Sequence, residues 1–351
     1  MSAAGRSGRG ALVASGEPHS PAPVELAVVM PAYDAAQFLG RSLPALLRAG
    51  PDVPVIVVDA GSTDGTGALA RELGVRVVRL PVRAGPAEAR NAGVEAALSE
   101  LVLFVDADCV LHADGIARVR DAFRAEPELV ALCGSYDARP PERNFFSLYI
   151  NLRHHFTHQR ARREPASFWA GCGAVRREAF TRAGGFDAAR YPRPEIEDIE
   201  LAGRLRRLGR LRLDPDLQVT HLKHWTFRSV VETDVCRRAL PWARLIRETG
   251  EMPDDLNLRR SQRVAAALAP LALLALPLGP WAAATGRLAL AVACAAAVTV
   301  SLALAGGMLA CFARHVGPGF AVRAWLFHQV HLVYSALTFV LATWPRHTRR
   351  R

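Results

Sequence analysis

The chain has 351 residues, half of them hydrophobic, and a formal net charge of +11. That length suits one large or two ordinary domains. The positive charge comes almost wholly from scattered arginines, Lys223 being the only lysine; with no aromatic-interleaved basic stripe, it disfavours a nucleic-acid partner and fits an anionic membrane surface better.

Residues 1–23 are rich in Gly, Ala, Ser and Pro and hold no continuous apolar run, so they read as a flexible tail, not a signal peptide. From Val24 short apolar runs alternate with helical patterns, the rhythm of βαβ units. Strands are expected at Leu26 to Met30, Val55 to Val58, Val75 to Leu80 and Leu101 to Val105. Helices are expected after Tyr33 (with Phe38, Leu43, Leu46 and Leu47 on the apolar side), over Thr66 to Leu73 and over Pro86 to Leu98. Right-handed crossovers would make this a mostly parallel sheet with helices on both faces. Past Asp108 the pattern loosens. It predicts helices over His112 to Ala125, Arg143 to Arg160 and Asp198 to Leu208, a strand over Leu129 to Gly134, and an irregular stretch from Phe168 to Arg177. The six cysteines (109, 133, 172, 236, 294, 311) form no C-x-x-C pair and read as reduced thiols.

The composition changes near Arg263. Arg237, Arg238, Arg244 and Arg247 alternate with Leu240, Trp242, Leu245 and Ile246, which suits an amphipathic helix in a membrane interface (segment 231–262). Val264 to Ala284 and Leu288 to Ala313 carry no charge and are each long enough to span a hydrocarbon core. Ala324 to Trp344 is also long enough but holds His328, Gln329 and His331. Segment 263–345 is therefore two to three transmembrane helices, followed by a basic tail, 346–351. Arg314 and Arg323 favour a cytoplasmic connection and a cytoplasm-facing catalytic domain. A third span would then place the tail outside, against the positive-inside tendency, unless that stretch is re-entrant or interfacial.

The strand Leu101 to Val105 ends in Asp106-Ala107-Asp108, two carboxylates at i, i+2. Such oxygen ligands suit Mg²⁺ or Mn²⁺, which in turn hold phosphates, and ligands of open α/β sheets gather at the carboxyl ends of strands. Alone the pattern is weak, because aspartates also cap turns and helices. In order along the chain stand Pro31-Ala32-Tyr33, Val57-Val58-Asp59-Ala60-Gly61-Ser62-Thr63-Asp64-Gly65-Thr66, Ala89-Arg90-Asn91-Ala92-Gly93, Asp106-Ala107-Asp108 and Glu197-Asp198. This series resembles family 2 glycosyltransferases of GT-A fold over residues 24–230, with a nucleotide-binding half (24–110) and an acceptor half (111–230).

The resemblance implies a Rossmann-like α/β fold and a membrane-anchored, inverting, metal-dependent enzyme. Its donor would be a UDP- or GDP-type nucleotide sugar, and its acceptor a hydroxyl of a lipid or lipid-linked saccharide. Asp59 would accept from the base, Pro31, Ala32 and Tyr33 would wall the nucleoside, and Arg90 would sit near the donor phosphates or brace the metal site. Asp106 would contact ribose or sugar, while Asp108 and His221, with His224 as rival, would hold the cation. Trp169, Gly171, Cys172 and Glu197 would meet the acceptor, and Asp198 would act as base. Each residue has a plainer reading: a loop cap for Asp59, a surface helical arginine for Arg90, a tight turn for the Trp169 stretch and a helix-dipole partner for Asp198. His154 and His158, at i, i+4, lack an acidic or cysteine partner for zinc. Processive members carry Gln-x-x-Arg-Trp after the base, and this chain has only Arg237 to Trp242 there, so a single addition is expected. A polyprenyl-phosphate sugar synthase is the runner-up, and a catalytically silent scaffold is the alternative of another class. Oligomeric state is not legible.

Overall fold

The computed structural model describes residues 25–252, 254 and 259–343; the expected N-terminal tail and the basic end 346–351 lie outside the described residues. The run Leu101–Val105 becomes β4, with all five residues fully buried. A strand apolar without alternation needs cover on both faces, and β4 has it. Leu101, Leu103 and Val105 join one core and Val102 and Phe104 the other. Burial of side chains of this size contributes about 1.5–3 kcal/mol each.

Around β4 the expected units form as β1 (Leu26–Ala32), α1 (Ala36–Ala49), β2 (Val55–Asp59), α2 (Thr66–Glu72), β3 (Arg76–Arg79) and α3 (Pro86–Ala96). The pairs β1–β2, β2–β3 and β1–β4 are parallel. The second half departs from the sequence reading. After β5 (Cys109–Leu111) come α4 (Gly115–Ala125), β6 (Leu129–Tyr136), α5 (Phe145–Gln159), β7 (Cys172–Arg176), α6 (Arg177–Arg182), α7 (Glu197–Leu205) and β8 (Arg210–His221). Strands β5, β7 and β8 are not marked by the apolar pattern. The sheet runs β3-β2-β1-β4-β7-β6-β8-β5. β7 pairs antiparallel with both β4 and β6, and β5 antiparallel with β8, so the sheet is mixed though mostly parallel. In α7 the apolar buried face is Leu201, Ala202 and Leu205; Ile199 is only half-buried, and Leu208 lies beyond the end of the helix.

Beyond β8 a continuous helical stretch comprises α8 (Phe227–Glu232), a π-helical segment (Thr233–Ala239) and α9 (Leu240–Thr249). Three helices long and apolar enough to cross a membrane follow: α10 (Arg260–Ala284), α11 (Leu288–His315) and α12 (Pro318–Thr343). At 1.5 Å per residue, α10 is about 37 Å long. Both α10 and α11 expose large apolar side chains, including Leu271, Leu274, Trp281, Val292 and Val300. Arg259 donates to the Arg160 carbonyl, His315 packs on His155, and the far turn carries Arg287 stacked 4.2 Å over Trp281. The α10–α11 hairpin thus leaves the sheet domain and returns to it.

The third helix behaves differently. Phe320 packs on Phe145, Tyr149 bonds His328 at 2.8 Å, Tyr334 donates to Asp234 at 2.8 Å, and Arg247 reaches the Ala342 carbonyl at 3.4 Å. These contacts with α5, the π segment and α9 run from its first turns to its last. Its exposed apolar side chains, Val322, Leu326, Val330, Leu337 and Leu341, fall on the other side. The polar residues that complicate its reading as a span face the protein: Gln329 accepts from Ser301, and His331 stands 3.0 Å from Asp234. Arg314 and Arg323 lie within α11 and α12, not in a loop between them; only Val316 and Gly317 connect the two helices.

Candidate active site

The carboxyl edge of the parallel strands gathers two loops. Asp34, in the left-handed region at φ 45°, accepts the Thr63 N–H at 2.9 Å; its own N–H donates to Ser62 Oγ at 3.0 Å. Ala35 N–H donates to Thr66 Oγ1 at 2.8 Å, so the β1–α1 and β2–α2 turns are clamped together. Pro31 and Ala32 end β1, and Tyr33 stands partly exposed beside them with Arg83 stacked 4.5 Å over its ring. Asp59, at the end of β2, is fully buried. Its Oδ1 accepts the Ser62 N–H at 2.8 Å, which is the loop-capping role. Its Oδ2 has no hydrogen-bond partner among the described residues, and Arg79 is 3.6 Å away. A buried acceptor without a partner is costly. A Cβ on Gly67 would lie 2.4 Å from that oxygen, so only glycine leaves it room. Asp59 opens, with Ser62, Thr63, Arg71 and Arg79, onto a cavity of about 460 Å³.

The second cluster is built around Arg90 from α3. This arginine is buried, not a surface residue. Its guanidinium bonds Asp106 at 2.7 Å and Glu197 at 3.0 Å, and lies over Phe186. It braces carboxylates from two halves of the fold, the farther one 107 residues along the chain from Arg90. Glu197 has its other oxygen filled by the Glu195 N–H at 2.9 Å, so it is a buried brace for the site where the sequence suggested an acceptor contact. Asp198, next along α7, points elsewhere. It accepts the Ala170 N–H at 3.3 Å and its neighbour Ile199 N–H at 2.8 Å. The adjacent Gly171 carbonyl in turn accepts the Asp106 N–H at 3.1 Å, so Asp198 and the Asp106–Asp108 turn stand on one edge of the sheet.

The carboxyls differ in acidity. Burial, then the charge of Glu197, pushes Asp198 up to about 7 against the pull of Arg90. Burial also raises Asp106 despite Arg90. At Asp108 burial acts in the same direction, but His221 and Lys223 outweigh it and hold the carboxyl at about 2. Asp108 and His221 are brought together by the antiparallel β5–β8 register, which sets Cys109 opposite His221. His221 Nε2 is then 3.5 Å from Asp108 Oδ2. The rival His224 is exposed, bonded to Glu142 at 2.7 Å and Asn144 at 3.1 Å, away from this turn.

No group of three or more His, Cys, Asp or Glu side chains arranged for a metal occurs among the described residues. One carboxylate and one imidazole still fit Mn²⁺ or Mg²⁺ when substrate phosphates fill the remaining positions. The side chain of Asp108, 23% exposed, leaves that access open. His154 and His158 stack on each other at 3.9 Å, inside an aromatic cluster rather than a zinc site.

The Phe168 to Gly173 stretch is a tight turn entering β7. A Cβ on Gly171 would meet the Trp169 ring at 2.7 Å. The half-buried indole packs against Tyr136 at 4.8 Å and His154 at 4.6 Å. Cys172 is wholly buried in the core, its thiol pushed up by burial, so it is a packing residue and not an acceptor contact. Tyr136, absent from the sequence reading, stacks on His221 at 4.3 Å with ring planes 12° apart. His154 presents an Nδ1 with no hydrogen-bond partner among the described residues. No local motif marks Tyr136, because β6 meets the site only through the fold.

A parallel half closed by an antiparallel strand, with carboxylates gathered on its carboxyl edge, is the architecture of a GT-A glycosyltransferase. Residues 27–184 match the family Glycosyl transferase family 2. That match covers just under half of the chain. An uncharacterized glycosyltransferase of Haemophilus influenzae is 28% identical over 117 residues, 32% of this chain and 46% of that protein. The succinoglycan biosynthesis protein ExoO of Rhizobium meliloti is 34% identical over 99 residues, 27% of this chain and 28% of that protein. In both, the match spans less than half of the relative's length. A mannosyltransferase of Pyrobaculum calidifontis, solved with GDP-Man and Mn²⁺, shares the fold: the TM-score is 0.54 at 22% identity, over 92% of this chain and 90% of that one.

Proposed function

We propose that this chain is a glycosyltransferase of family 2 that moves one sugar, with inversion, from a UDP- or GDP-type nucleotide sugar to a hydroxyl of a lipid or lipid-linked acceptor at a membrane. The observation that carries the reading is geometric: Asp108, 3.5 Å from His221, and Asp198, held by the Ala170 N–H beside the Gly171 carbonyl that accepts the Asp106 N–H, stand on one sheet edge. A base poised near neutrality and an always-ionised cation ligand are the two groups such a transfer needs. The neighbour from Pyrobaculum calidifontis, with its GDP-Man and Mn²⁺, supports the donor class and the cofactor.

In this mechanism Asp59 Oδ2 accepts a base N–H, and Pro31, Ala32 and Tyr33 line the nucleoside. Asp106, steadied by Arg90, faces the ribose or sugar. Asp108 and His221 would hold Mn²⁺ or Mg²⁺, which supplies Lewis-acid neutralisation of the departing diphosphate. Asp198 takes the proton from the acceptor hydroxyl as that oxygen attacks the anomeric carbon. The Ala170 N–H holds the Asp198 carboxylate in place, and the exposed edge of Trp169 borders the acceptor side. The membrane seat is the α10–α11 hairpin, with the catalytic domain facing the cytoplasm.

Calorimetry tests the reading. UDP or GDP is expected to bind only with Mn²⁺ present. Asp198→Asn is expected to keep that binding and to lose about 10²–10⁴-fold in kcat, the usual reach of a general base. Full turnover by Asp198→Asn would instead favour an already ionised acceptor, a polyprenyl phosphate. Absence of nucleotide binding would end the proposal.

A further inference from the structure

His221 Nε2 reaches Asp108 at 3.5 Å, a separation too long for a strong hydrogen bond, so this contact leaves the plane of the imidazole open. A metal-binding histidine needs that plane set, because its lone pair points in one direction only. The setting comes from β6. Tyr136, the last residue of that strand, is registered opposite Val219 of β8. Side chains alternate along a strand, so the next one on the same face of β8 is His221. The two rings stack with centroids 4.3 Å apart and planes 12° apart. A second ring, Trp225, stands 6.4 Å from His221 and is tilted by 48°, so Tyr136 is both closer and better aligned.

Tyr136 is itself held on several sides. Its ring meets Trp169 edge-on at 4.8 Å and lies against His154 at 4.2 Å, and its carbonyl accepts from His155 Nδ1 at 2.8 Å. The following residue, Asp137, turns to the opposite face. There its carboxylate accepts from Thr220 and stands 3.2 Å from His112 Nε2. The Asp137 N–H also donates to the Val219 carbonyl at 2.9 Å. The ends of β6 and β8 are therefore clasped on both faces, Tyr136 with His221 on one and Asp137 with Thr220 on the other. With the strand ends fixed in this way, the Tyr136 ring stays over the imidazole.

We infer that Tyr136 is a positioning residue for the candidate cation site: its ring, and not its hydroxyl, sets the plane of His221 and keeps Nε2 on the Asp108 side. Residues that orient a metal-bound histidine from outside are typically worth about 10–100-fold in metal affinity. The inference rests on the cation-site reading above and deepens it.

The test reads metal binding without turnover. Mn²⁺ is titrated into the full chain in detergent with saturating UDP, then GDP, and free Mn²⁺ is followed by electron paramagnetic resonance. Tyr136→Leu, which keeps bulk but loses the flat face, is expected to weaken Mn²⁺ binding about tenfold, and Tyr136→Phe to hold the wild-type affinity. Leu132→Ala, fully buried within the same strand, is the comparison for general loosening. It should lower the melting temperature and leave Mn²⁺ affinity at the wild-type value. Tyr136→Met takes the place of Tyr136→Leu if that variant does not fold. An equal loss in Tyr136→Phe would assign the effect to the hydroxyl and overturn the inference. Wild-type affinity in Tyr136→Leu, or an equal loss in Leu132→Ala, would overturn it too. Absence of Mn²⁺ binding in the wild type would remove the cation site and the mechanism proposed above, whereas binding that ignores Tyr136→Leu removes this inference alone.

Discussion

Asp198 and Asp108 carry the same functional group in one site, yet one is held near 7 and the other near 2. The difference is environmental: Asp198 has a buried neighbouring carboxylate, Asp108 a histidine and a lysine. A base works only when deprotonated, so activity should fall as pH drops through about 7 and level off above it. A pH profile of kcat/KM checks this, and a plateau extending down to pH 5 would contradict the role of Asp198. Arg90 acts at the same scale through its two carboxylates. Removing one partner of a buried charge pair costs about 3–5 kcal/mol. Arg90→Ala is expected near the lower end of that range, because Asp106 keeps about a third of its exposure. Chemical denaturation in detergent measures it, and Arg90→Lys should recover part of the loss.

The element that decides the candidate cation site is β8. Twelve residues long, it carries Arg210, Arg212, Asp214, Gln218 and Thr220 among its apolar positions, and so reads poorly as a strand. Its pairing with β5 puts His221, and not His224, beside Asp108. His221→Ala should therefore abolish Mn²⁺-dependent nucleotide binding by calorimetry, and His224→Ala should leave it intact. The reverse result would refute the assignment. The same logic explains β7, whose residues are apolar but begin directly after a Gly-rich turn. Pairing with both β4 and β6 makes it a strand, and its own five residues, with Gly173 among them, do not.

At the scale of the whole molecule the question is how the three long apolar helices sit against the sheet domain. α12 touches the domain from Phe320 to Ala342, so its last described residue, Thr343, stays on the domain's side. We propose that α10 and α11 form the spanning hairpin and α12 an interfacial helix. The conflict between an arginine-rich end and the positive-inside tendency then disappears. A fluorescent-protein fusion at the C-terminus should fluoresce in the same compartment as one at the N-terminus. A fusion that is dark at the C-terminus and bright at the N-terminus would mean that α12 crosses.

Much of this protein is readable in linear order. The alternating strands and helices of residues 26–105, the Asp106–Asp108 pair at a strand end and the three apolar segments all arise from local patterns, because burial on both faces and a lipid-length run leave continuous apolar signatures. Other features exist only once the chain has closed on itself. Arg90 becomes a brace because α3 and α7 converge on it, and Cys172 becomes core because β7 inserts between β4 and β6. The histidines of α12 find partners in α5 and the π segment, which a reading of hydropathy alone could not assign. Polar groups are placed by whichever distant partners satisfy them, and those partners stand about 100 to nearly 180 residues away.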